Sequence, residues 1–236
     1  MKRLSIASVS KTIRDRLVLR DCHLEVDEGE ICAVVGPNGA GKTTLFKTVA
    51  GLAWASTGTV KIDGVTVGPA TLTKTLPMVG ATIEVPAFFP GQTAREVLVS
   101  HVEGMRLPGS PSAVSESLAS VGLAEHAEIP VESFSLGMKQ RLAIARAFMH
   151  QPQIVVLDEP ANGLDPDGMQ LLKDKLRNFA QRGGAVLMAS HGLADLEAVA
   201  DSVAVLSQGH LSTKSQVAKV LENGSLQDHY NSILGR

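Results

Sequence analysis

The twenty residues AVVGPNGAGKTTLFKTVAGL, positions 33–52, constrain this chain more than any other stretch. An apolar run leads into Gly36-x-x-x-x-Gly41-Lys42-Thr43, and a helix-forming segment follows at once. A strand, a glycine-rich turn and a helix in that order are the confirming context for a phosphate-binding loop. Gly36, Gly39 and Gly41 let the backbone curl with its N–H groups inward, and Pro37, Asn38 and Ala40 complete the curl. The helix that begins near Lys42 adds the positive end of its dipole. The Lys42 ammonium can reach β- and γ-phosphates, and the Thr43 hydroxyl can ligate Mg²⁺. GTPases, kinases and motor ATPases all use such a loop, so it points to a nucleoside triphosphate without naming the enzyme.

The rest of the 236 residues divide by pattern. A first β-rich block, residues 1–84, holds the strand-like runs LSIASV, EICAVVG and GTVKIDG. A last block, residues 152–236, holds QIVVLDE, GAVLMAS and DSVAVLS. These short continuous apolar runs suit parallel strands buried on both faces. Helical patterns alternate with them, which predicts an α/β sheet with right-handed crossovers. The middle, residues 85–151, is helical: TAREVLVSHVEGM opens on a Thr93-x-x-Glu96 capping box, SAVSESLASVG ends at Gly122, and SFSLGMKQRLAIARAF supplies a third helix. The expectation is a single α/β domain with an inserted helical subdomain.

Composition narrows the function classes. A formal net charge of −2 offers no electrostatic case for nucleic acid. Cys22 and Cys32 are too few for a disulfide scaffold, so a reduced, cytosolic compartment is expected. The opening MKRLSIASVSK has no signal-peptide core, and no apolar run reaches the ~20 residues that span a bilayer. Work at a membrane would go through a partner.

Two further groups belong with the loop. IVVLDEP ends an apolar strand on Asp158-Glu159, at the sheet edge where open α/β sheets bind ligands. Asp158 would hold Mg²⁺ through its water shell, and Glu159 can polarise an attacking water. His191, just past GAVLMAS, emerges at the same edge, where an imidazole can bond the γ-phosphate and fix that water. His23, His101, His126 and His150 lack such a setting and are read as surface or structural.

In this order the motifs resemble the ABC ATPases: residues 36–43 as Walker A, SFSLGMKQR as signature, IVVLDEP as Walker B, NGLDP as D-loop and ASH as H-loop. The resemblance covers nearly the whole chain. It implies a P-loop NTPase (RecA-like) core with a parallel sheet, an antiparallel β edge and the inserted helical subdomain. It also implies a head-to-tail pair of subunits, homodimeric or with a second ATPase subunit, clamping two ATP with Mg²⁺, and a separate membrane permease. Residue by residue, Lys42 and Thr43 match the phosphate and Mg²⁺ residues, Thr44 an α-phosphate contact, Asp158 the metal-side acid, Glu159 the base, Asp165 the interface residue of the D-loop and His191 the switch.

There are three departures. The usual Leu-Ser-Gly-Gly-Gln becomes Phe134-Ser135-Leu136-Gly137-Met138. Gly137 is then explained as the residue that lets a partner's ATP phosphate approach a bare helix N-terminus beside the Ser135 hydroxyl. No aromatic precedes Phe46, so Ile13 or Val18 would cover the base by apolar contact, which leaves GTP possible beside ATP. Glu84 stands where the family's loop glutamine belongs, and its carboxylate could ligate Mg²⁺. The run IEVPAFFP around it, with SLGMKQR, is similar to the bacitracin- and lantibiotic-resistance branch of exporters. Residues 85–90, with Phe88 and Phe89, are then the expected docking surface for a permease. The implied function is an export ATPase at the inner face of the cell membrane; an importer cassette and a soluble or signalling ABC ATPase are the alternatives. A DNA-repair ATPase of this class would need long heptad insertions, and none is present.

Overall fold

The computed structural model describes residues 1–84, 86–105, 111–190 and 192–235, with only the backbone of Pro111, Ala194 and Asp195. In chain order the elements are β1 (Lys2–Ile13), β2 (Arg16–Asp27), β3 (Ile31–Val35), α1 (Lys42–Val49), β4 (Thr57–Ile62), β5 (Val65–Thr66), α2 (Leu72–Thr75), β6 (Val79–Thr82), α3 (Ala94–Gly104), α4 (Pro111–Ala119) and α5 (Leu136–Phe148). Then follow β7 (Ile154–Asp158), α6 (Pro166–Gln181), β8 (Ala185–Ala189), α7 (Leu193–Glu197), β9 (Ser202–Ser207), β10 (His210–Leu211), β11 (Ser215–Gln216), α8 (Val217–Glu222) and α9 (Leu226–Leu234).

The strands form two sheets. Five parallel strands in the order β9-β3-β8-β7-β6 make the core, with β10 and β11 added antiparallel along β9. Strands β3, β7 and β8 are buried at every residue, as their unbroken apolar runs require. A separate antiparallel sheet runs β2-β1-β4-β5. The first β-rich block is thus split: LSIASV and GTVKIDG enter the antiparallel sheet, and EICAVVG becomes an interior parallel strand between β9 and β8. Strand β2, absent from the expected elements, buries Leu19, Cys22, Leu24 and Val26 against β1 and α1, including Leu4 and Phe46.

The helical middle packs directly on the sheet. Thr93 caps α3 reciprocally with Glu96, as its spacing predicts. Helix α5 lies so close to β6 that a Cβ on Gly80 would come 1.8 Å from the Ala147 carbonyl oxygen, so only glycine fits there. Helix α6 starts on the Asp165 N-cap with Pro166 behind it and buries Leu172, Leu176 and Ala180 on one face. Helices α8 and α9 were outside the expected pattern and cover the β9 end of the sheet through Val217, Val220 and Leu226. Among the described residues no helix is long and apolar enough to cross a membrane.

Candidate active site

The carboxyl ends of β3, β6 and β7 open onto a cleft of about 810 Å³. From β3 the chain turns through 36–41 into α1. A Cβ on Gly36 would stand 2.1 Å from the Leu206 carbonyl oxygen, so the loop can leave β3 against β9 only as glycine. Gly41, at φ 111°, is the N-cap of α1 and provides no side-chain cap; no acid lies in the first turn. The helix thus presents uncapped N–H groups, the arrangement that receives anions. Lys42 is buried, and its Nζ donates to the carbonyls of Gly36 at 2.6 Å and Pro37 at 3.3 Å. Asn38, Gly39, Ala40, Gly41, Lys42, Thr43 and Thr44 all line the cleft.

Strand β7 delivers the acids. Thr43 Oγ1 donates to Asp158 Oδ2 at 2.6 Å, joining the loop to the end of β7. Burial raises the Asp158 pKa above the ordinary value; the Thr43 bond and Lys42 oppose this, while Glu159 and Glu84 add to it. Glu159 takes φ 52°, a left-handed conformation, with its N–H bonded to Ala189 O at 3.0 Å. The neighbouring strand ends alike: Glu84, past β6, has φ 66°. Two non-glycine residues in this region, side by side over a cleft, are the kind of backbone strain that collects at functional sites. Glu84 sits at the rim with its side chain mostly exposed, and Lys47 Nζ engages its Oε1 at 2.6 Å. His191 lies outside the described residues; β8, which it follows, ends at Ala189 opposite Asp158.

The signature stretch carries a packing constraint in addition to its expected role. Ser135 is the N-cap of α5, and its hydroxyl accepts from Met138 N at 3.2 Å. Gly137 has an intramolecular reason to be glycine: a Cβ there would come 2.6 Å from the carbonyl oxygen of Gly163. The reciprocal Cβ on Gly163 would meet the Leu136 side chain at 2.8 Å. The start of α5 and the 159–165 loop therefore interlock. Gln140, which the sequence reading passed over, strengthens this join: it is 3% exposed and donates to Pro160 O at 3.0 Å. Its charged neighbours Lys139 and Arg141 hid it, because a polar run of this kind reads as a solvated face. Asp165 caps α6, accepting from Gly168 N at 2.8 Å.

Of the residues considered for the base, Val18 lines the cleft, whereas Ile13 sits at the β1–β2 turn, 44% exposed and outside the lining. Of 85–90, Val85 is outside the described residues. Phe89 is 78% exposed. Phe88 packs on the core, with the Arg146 guanidinium 5.2 Å from its ring centre. The two aromatics thus have different environments.

The site can bind a polyphosphate through backbone N–H groups and Lys42 and hold acids against its outer end. Mg²⁺ fits the donors on this side: the Thr43 hydroxyl and the Asp158 carboxylate are hard oxygens, and the buried carboxylate is short of positive charge. Among the described residues no cluster of three or more His, Cys, Asp or Glu could hold a metal alone, so remaining oxygens would come from phosphates and water.

Comparison with known proteins agrees with this reading. A family model described as ABC transporter matches residues 19–162. An uncharacterized ABC transporter ATP-binding protein, YdbJ of Bacillus subtilis, is 37% identical over 212 residues, 89% of this chain and 68% of its own length. The lantibiotic transport ATP-binding protein SrtF of Streptococcus pyogenes is 34% identical over 208 residues, 88% of each chain. The bacitracin transport ATP-binding protein BcrA of Enterococcus faecalis is 35% identical over 90% of this chain and 69% of its own. A solved ATP-binding subunit of an ABC transporter superposes with a TM-score of 0.89 at 27% identity, covering 98% of this chain and 99% of that one.

Proposed function

The chain belongs to the ABC transporter family, as an ATP-binding subunit and an ATPase, and from that premise we propose that it drives a separate membrane permease in exporting a drug, a peptide antibiotic or a similar compound. The observation that carries this reading is the meeting of the loop and the strand-end acids in one cleft through the Thr43–Asp158 bond. Lys42 and the N-terminus of α1 neutralise the phosphates. Thr43 and Asp158 would hold Mg²⁺, which would supply positive charge to the phosphates. Glu159 orients a water and accepts its proton as the water oxygen bonds to the γ-phosphorus and the bond to the leaving oxygen breaks.

Two copies, or this chain and a second ATPase subunit, meet head to tail around two ATP in this proposal. Ser135 and the N-terminus of α5 then face the partner's γ-phosphate, with Asp165 near the same seam. The interlock of Gly137 with Gly163 supports this, because it ties the signature helix to the loop leaving Glu159. The helical subdomain, residues 85–151, offers the permease a groove around Phe89 and Arg146. The subunit is then held at the cytoplasmic face of the membrane through that partner. Similarity to lantibiotic and bacitracin transport proteins supports export as the direction.

Purified Glu159→Gln protein tests the reading. It should bind ATP, release phosphate at least 100-fold more slowly, and elute as a dimer with ATP and Mg²⁺. Phosphate release at the wild-type rate would remove Glu159 from the role of base.

A further inference from the structure

At the opposite edge of the sheet lies a second cleft, of about 580 Å³, bounded by the residues that precede β7 and β8 and by the outer face of α6. A five-residue strand separates the two sheet edges by roughly 15 Å, so this cleft is separate from the nucleotide site. Its chemistry differs from that of a surface furrow. Lys175 extends into it with Nζ 2.7 Å from Ser120 Oγ and 5.2 Å from the centre of the Phe148 ring. Phe179 meets Phe148 edge-on at 5.1 Å, giving the cleft an aromatic wall. Arg182, the C-cap of α6, lies seven residues past Lys175 and lines the same cleft, its Nε donating to Asn178 O at 3.2 Å.

The carboxylates around this pair act elsewhere or at a distance. Asp174 lines the same cleft and keeps its charge, accepting from the neutral Gln170 amide at 3.0 Å, but it is not among the groups that shift Lys175. Arg3, at the cleft's rim from β1, is neutralised by Asp63 at 2.8 Å and Glu28 at 3.1 Å. Among the described residues no carboxylate pairs with Lys175 or Arg182, and Lys175 rests on a neutral hydroxyl and a π face. A half-buried ammonium left so costs free energy that a nearby anion would return.

We propose that this cleft is a second ligand site, and that its ligand is an organic phosphate monoester whose dianion sits between Lys175 and Arg182 with its ester group against Phe148 and Phe179. Two unneutralised cations match a dianion, and the aromatic wall favours an apolar ester over free phosphate. The proton balance is a direct consequence. Burial, helped by Arg182, lowers the Lys175 pKa to about 8, so at pH 8.5 much of the amine is neutral. A bound dianion raises that pKa, and binding at this pH takes up a proton.

Calorimetric titration with phenyl phosphate tests this, with the nucleotide cleft filled by Mg²⁺ and a non-hydrolysable ATP analogue. At pH 8.5, in two buffers of different ionisation heat, the wild type should bind with net proton uptake, and inorganic phosphate should bind at least tenfold more weakly. Lys175→Met should weaken phenyl phosphate at least tenfold and abolish the uptake. Arg182→Ala, at an exposed position that cannot disturb the core, should weaken it several-fold. No saturable heat in the wild type, or equal affinity in both variants, would overturn the proposal.

Discussion

Thr43 Oγ1 and Asp158 Oδ2 stand 2.6 Å apart, so one hydrogen bond joins the first residues of α1 to the last residue of β7. Asp158 is 7% exposed, and burial raises its pKa. A carboxyl whose folded pKa exceeds its unfolded value binds more protons when folded, so it weakens stability as pH rises through that window. Asp158→Asn keeps the shape and the acceptor for Thr43 and removes the charge. It should raise nucleotide-free stability by about 1 kcal/mol, roughly 2–4 °C in Tm. The further rise that Mg²⁺ adds to ATP in the wild type should vanish. Thermal denaturation with and without ATP and Mg²⁺ checks both; a variant less stable without ligand would contradict the account.

Gly137 lies against Gly163 with no room for a side chain, since a Cβ on Gly137 would come 2.6 Å from Gly163 O. Gly137→Ala should force the start of α5 off the 159–165 loop, with a stability loss of about 1–3 kcal/mol. Phosphate release should fall, because Glu159 begins that loop. Leu136→Ala shortens a 54% exposed side chain and should change stability by about 0.5 kcal/mol or less. Urea denaturation of the two variants checks this; equal stability would remove the interlock.

Legibility in the sequence followed how locally each feature is determined. The phosphate loop, Asp158 and the capping box at Thr93 could be read because each is set within a few residues, by glycine conformations, a strand end or a cap. The place of Gly137 against Gly163 could not, since it depends on two segments 26 residues apart meeting in space. Strand β2 went unread for another reason. Its apolar residues are spaced irregularly, with Leu19 and Cys22 both buried across the register shifts of its ladder with β1, and period two breaks at such shifts. Assigning LSIASV and EICAVVG to different sheets likewise rests on pairing partners that periodicity does not name.

His101 and His150 share a hydrogen bond of 3.2 Å, and His150 Nε2 stands 3.1 Å from Val79 O. A carbonyl only accepts, so His150 carries its proton on Nε2 and leaves Nδ1 to accept from His101. Burial, then His150, then Arg146 lower the His101 pKa to about 4. From pH 6.5 down to about 4 the unfolded chain binds the extra proton, so stability is lost as pH falls and is constant above. His101→Gln should flatten that slope, with a remainder from His150, whose pKa burial also lowers. Urea midpoints at pH 4.5 and 7.5 measure it; an unchanged slope would exclude His101 as the source.

Phe89 is 78% exposed, whereas Phe88 beside it packs on the core under Arg146. An aromatic held in water next to a groove lined by Gln92, His101 and Arg146 is the arrangement of an interface anchor, and such anchors carry much of the binding energy. Phe89→Ser removes no buried contact, so stability should change by about 0.5 kcal/mol or less. Phe88→Ser strips a partly buried ring from the core surface and should destabilise by about 1–3 kcal/mol. If the groove receives the permease, Phe89→Ser should fail to co-purify with it from detergent extracts although the subunit is fully folded. Retention of the permease by that variant would move the docking surface elsewhere on the chain.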